Sequence, residues 1–374
     1  MVKKATILAN LALRQSSCSR QLSSDMRLRN ADAINKRNTM FTSEKARQAA
    51  LVTRVQKIEV QYVGVPEPCT MVMNKDISTP YDCAKHLPER IRQSAVIAFV
   101  NGRPWDMHTP LQDDCELALA TFKDPVEERI KMVNKVFWRS CSFLLGYVIE
   151  RAFKSEHQVA LHSWPAPSIP SGSFVYDAAL SIANWKPTVQ ERRILSMPIQ
   201  RLAMDQVPFE RLEVDGALAK TMFEDNRFKS DQVEDVVEAS KNNKVTLYRC
   251  GDHVDMSCGP MIADSSQVAN FTVASVHPFE TQYGLLYRFQ GIAHPSAFTM
   301  SPFTKNVLEQ RAQEMPALDA LQTKQHFVMN MTNTVGLPQE SSTTLDEAEK
   351  NVKKELDLDH DEDHHTPKER QAAQ

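Results

Sequence analysis

The spacing of apolar and polar positions divides the chain into stretches of different period. KIEVQYVG, from Lys57, alternates as a half-buried strand does, TMVMNK offers a second run, and SAVIAFVNG, Ser94 to Gly102, is strongly apolar and closed by an Asn-Gly turn. Between them STPYDCAKHLPERI, opened by Ser/Thr-Pro, predicts one short helix, and after WDMHTPL the run CELALATF predicts a further strand. KDPVEERI then predicts a helix start, with Asp124 as the cap, Pro125 in the first turn and Glu127 and Glu128 at its positive end. That helix runs to about Lys154. Ile130, Val133, Phe137, Cys141, Leu144 and Val148 recur every three or four residues, and Leu145 and Ile149 widen the stripe enough to imply burial against a sheet. QVALHSW, SGSFVYDAAL, PIQRLAMDQVPFERLEV, a helix over 215–228, KVTLYRC and NFTVASVHPF alternate strand and helix signals. Beyond Pro302, FTKNVLEQRAQEM reads as a helix, and 316–342 has no coherent apolar stripe. Upstream, NKRNTMFTSEKARQAA reads as an exposed helix capped by Ser43, with Lys45 and Arg47 on its wet surface. The segment is too polar to hold a core and is expected to be an arm that orders on a partner.

Strand, strand, helix, strand, turn, strand is the order of a ubiquitin-like β-grasp domain, placed at 57–123, and an α+β domain follows over 124–301. Composition adds less. A chain of 374 residues with 42% hydrophobic and 24% charged residues is ordinary for a globular protein of two or three domains, and a net charge of -3 argues against an all-over nucleic-acid coat. Seven cysteines without regular spacing read as free thiols in a reducing compartment. No apolar run approaches the roughly 20 residues of a membrane span. Residues 1–24 contain no acid but carry Lys3, Lys4, Arg14 and Arg20, the composition of a mitochondrial presequence, assigned to 1–25; a basic tail is the alternative. Residues 26–56 form the basic arm, and 302–374 a helix and then an acidic, disordered tail. Its HDEDHH run is either a weak divalent-metal site or plain polyelectrolyte.

Candidate chemistry concentrates in LYRCGDHVDMSCGP, Leu247 to Pro260, which offers Cys250, Asp252, His253, Asp255 and Cys258. A metal site needs further ligands from elsewhere, and thiol chemistry needs Cys and His within mutual reach. The third reading is a hairpin, turned at Gly251-Asp252, with Asp255 capping the next turn and Gly259-Pro260 ending the strand. GxGxxG, GxxxxGK[ST], CxxC and HExxH are all absent, so no nucleotide, metal or other cofactor is expected. His157 and His162 read as surface histidines. Arg192, Arg193, Arg201 and Arg211 make either a phosphate-facing patch or a solvated face.

Residues 57–122 resemble the TGS domain of threonyl-tRNA synthetases, and the following domain resembles the editing domain of threonyl- and alanyl-tRNA synthetases. RSCSFLLGYVIERAF, Arg139 to Phe153, is similar to the helix carrying HSCAHLL, SGSFVYDAAL to GFYYDF, and QVPFERLEV to D-LP-RE; LYRCGDHVDMSCGP is similar to LYR-GDF-DLCRGPH and YRFQGIAHP to RI-GTA. The resemblance implies an editing pocket in which two histidines, then a cysteine and a histidine, position water against mischarged tRNA. Here those positions hold Arg139, Phe143, Ser257 and Met261, and Cys258 stands one place out of register. A guanidinium, a phenyl ring, a hydroxyl and a thioether cannot supply the bases and thiolate, so no catalytic residue and no enzyme is expected. The seventy-odd residues after Ser301 are read as too few for an aminoacylation domain. The whole arrangement is similar to a family of synthetase-derived components of the mitochondrial large ribosomal subunit. That implies a matrix protein contacting large-subunit rRNA and adjacent mitoribosomal proteins, without homo-oligomerisation, with Lys36, Arg37, Lys45, Arg47 and Arg54 as candidate contacts. The alternatives are an editing hydrolase rebuilt on Cys258, His253 and Asp255, and a regulator that binds tRNA or a nucleotide through the TGS-like domain.

Overall fold

The structure, a computed structural model, describes residues 30–164, 173–182, 185–240 and 242–313. The leader at 1–25 and the tail beyond residue 313, with its HDEDHH run, lie outside the described residues.

Five strands form the first sheet: β1 (Lys57–Tyr62), β2 (Cys69–Asn74), β3 (Ile97–Val100), β4 (Arg103–Trp105) and β5 (Cys115–Ala120), in the order β2-β1-β5-β3-β4. β1 and β5 run parallel and the other pairs antiparallel, which is the mixed sheet expected of a β-grasp. The period of two holds in β1, where Ile58, Val60 and Tyr62 point inward and the residues between them outward. The single helix expected here is two, α2 (Pro80–Ala84) and α3 (Glu89–Ser94). Thr79 and Asp82 close a capping box with Pro80 at the first position of α2, while Pro88 cannot continue a helix and restarts it instead.

The second part is built on α4 (Glu127–Arg151). Its buried Val133, Phe137, Cys141, Leu144, Leu145, Val148 and Ile149 pack against a four-stranded antiparallel sheet of β6 (Val159–Ser163), β7 (Phe174–Leu180), β11 (Val268–Thr281) and β12 (Gly284–Pro295), ordered β11-β12-β7-β6. The helix starts later than expected: Val126 is the cap residue, and Asp124 instead accepts the Val126 amide at 3.0 Å in the turn before it. α5 (Val189–Met204) lies on β11, opened by a capping box of Thr188 and Glu191. A three-stranded sheet, β10-β9-β8, joins β8 (Glu210–Asp215), β9 (Lys244–Cys250) and β10 (His253–Met256). The helix expected over 215–228 is also two, α6 (Gly216–Met222) and α7 (Arg227–Ala239). The break falls where the Asn226 side chain accepts the amides of Phe228 and Lys229, starting a new helix at a point read as the end of the old one. α8 (Pro302–Arg311), capped by Ser301, closes the described chain.

The basic segment differs most from expectation. It is helix α1 (Asn30–Ala50), with Ser43 well inside it rather than at its cap, and it packs on the chain's own second part. Phe41 is fully buried among Leu212, Val214, Met222, Phe223, Val254 and Met256. A single aromatic and a buried ion pair, described below, do what the weak apolar stripe of the helix could not.

Candidate functional site

The β9–β10 hairpin turns at Gly251-Asp252, with Cys250 opposite His253 and Gly251 at φ +62°, a conformation that favours glycine in a two-residue loop. All four residues of β10 are buried, so His253 and Asp255, two apart, project from one face into the interior. There they meet separate partners. His253 Nδ1 lies 2.6 Å from Glu150 Oε2 of α4, and Glu150 Oε1 accepts from Arg37 Nη1 of α1 at 2.7 Å. Asp225 Oδ2 stands 3.6 Å from the same guanidinium. Burial alone would raise the Glu150 carboxyl, but Arg37 and His253 beside it hold it down at about 2.

Asp255 enters a second cluster. Its Oδ2 accepts the Tyr176 hydroxyl at 2.5 Å, and its Oδ1 lies 2.6 Å from Lys229 Nζ, an ion pair with both side chains at most 2% exposed. The ammonium also sits 5.4 Å from the Tyr176 ring centroid. The expected capping role of Asp255 is therefore minor: it accepts its neighbour's amide, Met256 N, at 2.8 Å, but its carboxylate chiefly neutralises Lys229. Burial pushes the Cys250 thiol well up, and Cys258 Sγ lies 3.5 Å from the Gly259 carbonyl. The residues flagged in this stretch thus do not converge on one centre. Among the described residues no group of three or more His, Cys, Asp or Glu is arranged to hold a metal.

The four positions that the resemblance singles out lie where α4 faces the loop after β10. Arg139 Nη1 donates to the carbonyls of Gly259 and of Pro260, the latter at 3.1 Å. Phe143 has no exposed surface; its ring meets the His253 ring edge-on at 4.8 Å and that of Phe209 at 5.7 Å. Ser257 Oγ accepts the Gly259 amide at 3.3 Å, and Met261, fully buried, has its Sδ 3.5 Å from Ser140 Oγ. Ser140 Oγ also accepts the Ile262 amide at 3.0 Å. Phe143, Ser257 and Met261 are buried and Arg139 is half-buried, and none of the four can take a proton from water. Asp106 of the β-grasp part reaches the same loop, accepting the Met261 amide at 2.9 Å and the Tyr248 hydroxyl at 2.7 Å. Gly259 is held at φ +64°, and a Cβ there would fall 1.8 Å from the Tyr248 hydroxyl.

The candidate contact cations divide. Arg37 is only 5% exposed and is occupied by Glu150 and Asp225, so it is an internal strut rather than a surface contact. Lys36 pairs with Glu224 at 2.6 Å, Lys45 with Glu210 at 2.5 Å and Arg47 with Glu44 at 2.7 Å, while Arg54 lies exposed beyond the helix. Arg192, Arg193 and Arg201 share α5 and Arg211 is on β8; Arg192 reaches the Ala274 carbonyl and Arg211 pairs with Glu213 at 2.7 Å. His157 is half-buried, but His162, expected at the surface, is 8% exposed and packs on the rings of Phe228 and Tyr283. Sequence reasoning passed over Glu150, Lys229, Tyr176 and Asp106. Glu150 alone carried a signal, an acid seven residues after Phe143 and so on the same face of α4 as that position.

Burial, with Lys229, Arg227 and Arg288 nearby, lowers His162 from its ordinary 6.5 to about 4. The unfolded chain then binds a proton near pH 6.5 that the folded chain refuses until about pH 4, so this group's contribution is present above 6.5 and lost as pH falls through that window. His162→Gln is expected to give a shallower decline of stability between those values, read from denaturation midpoints at pH 7, 5.5 and 4.5. An unchanged slope would refute the assignment.

A family profile for the TGS domain matches residues 67–121, within the five-stranded sheet. The chain is 29% identical over 247 residues to the probable threonine-tRNA ligase 1, cytoplasmic, of Dictyostelium discoideum, covering 66% of this chain and 32% of the ligase. It is 28% identical over 232 residues to the human threonine-tRNA ligase 2, cytoplasmic, covering 61% and 27%. The matched region is thus between a quarter and a third of each ligase. Fold and site together define a TGS-domain protein related to part of the threonine-tRNA ligases. Over 285 residues it is 45% identical to large ribosomal subunit protein mL39 of Drosophila melanogaster, 75% of this chain and 84% of that one. The chain belongs to the mL39 family.

Proposed function

We propose that this chain is a structural component of the large subunit of the mitochondrial ribosome, contacting rRNA and neighbouring proteins and catalysing no reaction. The observation that carries the reading is the 45% identity over 84% of a relative named for the large ribosomal subunit. The packing of these positions supports the non-catalytic part, because Phe143, Ser257 and Met261 are buried and Arg139 is engaged by the Gly259 and Pro260 carbonyls, which leaves no base or thiolate to activate water. Location in the mitochondrial matrix rests on the leader assigned to 1–25, which carries four basic residues and no acid before Asp25. The working parts are a helix-bearing arm over 26–56, the TGS-like domain over 57–123, the degenerate editing-like domain over 124–301 and the tail from 302. Arg54, with the exposed Lys45 and Arg47, offers cations to phosphate, the kind of contact that positions a protein without reading bases.

Gradient sedimentation of a mitochondrial lysate tests the assignment: the chain is expected to travel with the large subunit, and its recovery in the light, ribosome-free fractions would overturn it. The purified chain is expected to release no amino acid from mischarged threonine-type tRNA above the buffer rate. Turnover that disappears in Cys258→Ala would instead establish a rearranged hydrolase.

A further inference from the structure

Helix α5 has two apolar faces where its place in the fold requires one. Its inward face is anchored: Leu195, Ile199 and Leu202 enter the core, and Ser196 Oγ accepts the Val273 amide of β11 at 2.9 Å. The outward face carries Val189, Ile194, Met197 and Met204, each more than half exposed. At 3.6 residues per turn, Ile194, Met197, Arg201 and Met204 fall at i, i+3, i+7 and i+10 on one row, with Val189 and Arg193 along its edge. Neighbouring apolar side chains concentrated on one helix face are an unusual way to meet water, and they mark an interaction surface.

The chemistry of the row selects the partner. Arg193 and Arg201 stand among the apolar side chains; Arg201 is 87% exposed, and its carboxylate neighbour Asp205 is 3.9 Å away. Glu191, the acid on the helix, is taken up by the Thr188 cap. The surface therefore presents an apolar strip with positive charge on it. A phosphate backbone would satisfy the arginines but leave Ile194, Met197 and Met204 against a polyanion, and the row offers no aromatic ring on which a base could stack. A protein helix with an apolar row and flanking carboxylates satisfies both, and two methionines let the strip adapt to its partner's shape. Pro198 also has no amide to donate to the Ile194 carbonyl, which lies on the same row.

We propose that the outward face of α5 is a docking surface for an amphipathic helix of another protein, with Asp or Glu beside its apolar row. It names the partner chemistry for one of the protein contacts of the ribosomal reading above and rests on that reading only for where the partner is met.

The test places a photoreactive amino acid at Gln200, exposed on this face, in the full-length chain, and maps the adducts formed in cells. The expected adduct is to a protein, within a helical peptide carrying Asp or Glu next to apolar residues. Its yield should fall by about tenfold or more in Arg193→Glu/Arg201→Glu and in Ile194→Ser/Met197→Ser/Met204→Ser, with the thermal midpoint unchanged. An adduct to RNA, a protein adduct insensitive to both variants, or no adduct would overturn the proposal. The gradient separates the two readings. A chain in the large-subunit fractions without the acidic-helix adduct refutes the docking surface alone, whereas that adduct formed by a chain outside those fractions refutes the ribosomal assignment alone.

Discussion

Asp255→Ala is expected to lower the unfolding free energy by about 3–5 kcal/mol, because it strands the Lys229 ammonium in the interior. Lys229 is 1% exposed, and Asp255 Oδ1, at 2.6 Å, is its carboxylate partner. The cost comes from the uncompensated charge more than from the lost attraction. Asp255→Leu/Lys229→Met, which removes both charges and keeps the volume filled, should therefore recover most of the loss. Urea denaturation of Asp255→Leu, Lys229→Met and the double, beside Asp255→Ala, measures the coupling directly. A single variant that loses less than about 1 kcal/mol, or a double no more stable than the worse single, would show that the pair is not the source.

Arg37→Met is expected to cost a similar amount, about 3–5 kcal/mol at neutral pH, and to loosen α1 in particular. The substitution leaves the Glu150 and Asp225 carboxylates facing each other without the guanidinium that joins them. In the wild type Glu150 is held down at about 2, so its contribution is present above the ordinary carboxylate range and is lost only as pH falls towards 2. Without Arg37 the folded-state value of Glu150 rises, because His253 is left to oppose burial without the guanidinium, and the burial that already raises the Asp225 carboxyl loses the Arg37 charge that opposed it most. The deficit of the variant should accordingly be largest at pH 7 and shrink towards pH 4, where both carboxyls can take up protons. Amide exchange should quicken across residues 30–50 while the strands of the five-stranded sheet keep their protection. Uniform quickening, or a deficit that grows in acid, would contradict this account.

Local patterns carried much of the architecture because strands and long helices announce themselves by period. β1 and α4 were legible for that reason, and so was the Gly251-Asp252 turn, whose glycine the loop geometry demands. The failures share a cause. Asn226 reads equally well as an end or a beginning, and only the amides of Phe228 and Lys229 that it accepts decide for a new helix. Ser43 looked like a cap because it is the right residue type, but α1 had begun thirteen residues earlier, where Asn30 donates to the His157 carbonyl at 3.0 Å. His162 looked exposed because its segment is short and mixed, and it is buried because rings and cations from α7 and the β11–β12 turn close over it.

The sequence by itself determined that Arg139, Phe143, Ser257 and Met261 stand where the resemblance places the editing residues, since motif spacing is a property of the chain alone. It likewise determined the apolar periods from which the sheets are built. Only the tertiary structure decided the fate of the charges: that His253 answers to Glu150, that Asp255 answers to Lys229, and that a helix rich in basic residues is stapled to its own domain through Arg37. Arg37 and Glu150 are 113 positions apart, and no local pattern encodes a distance between two residues so far separated. Burial then sets the outcome, because a charge taken out of water must find its opposite wherever the fold has brought one.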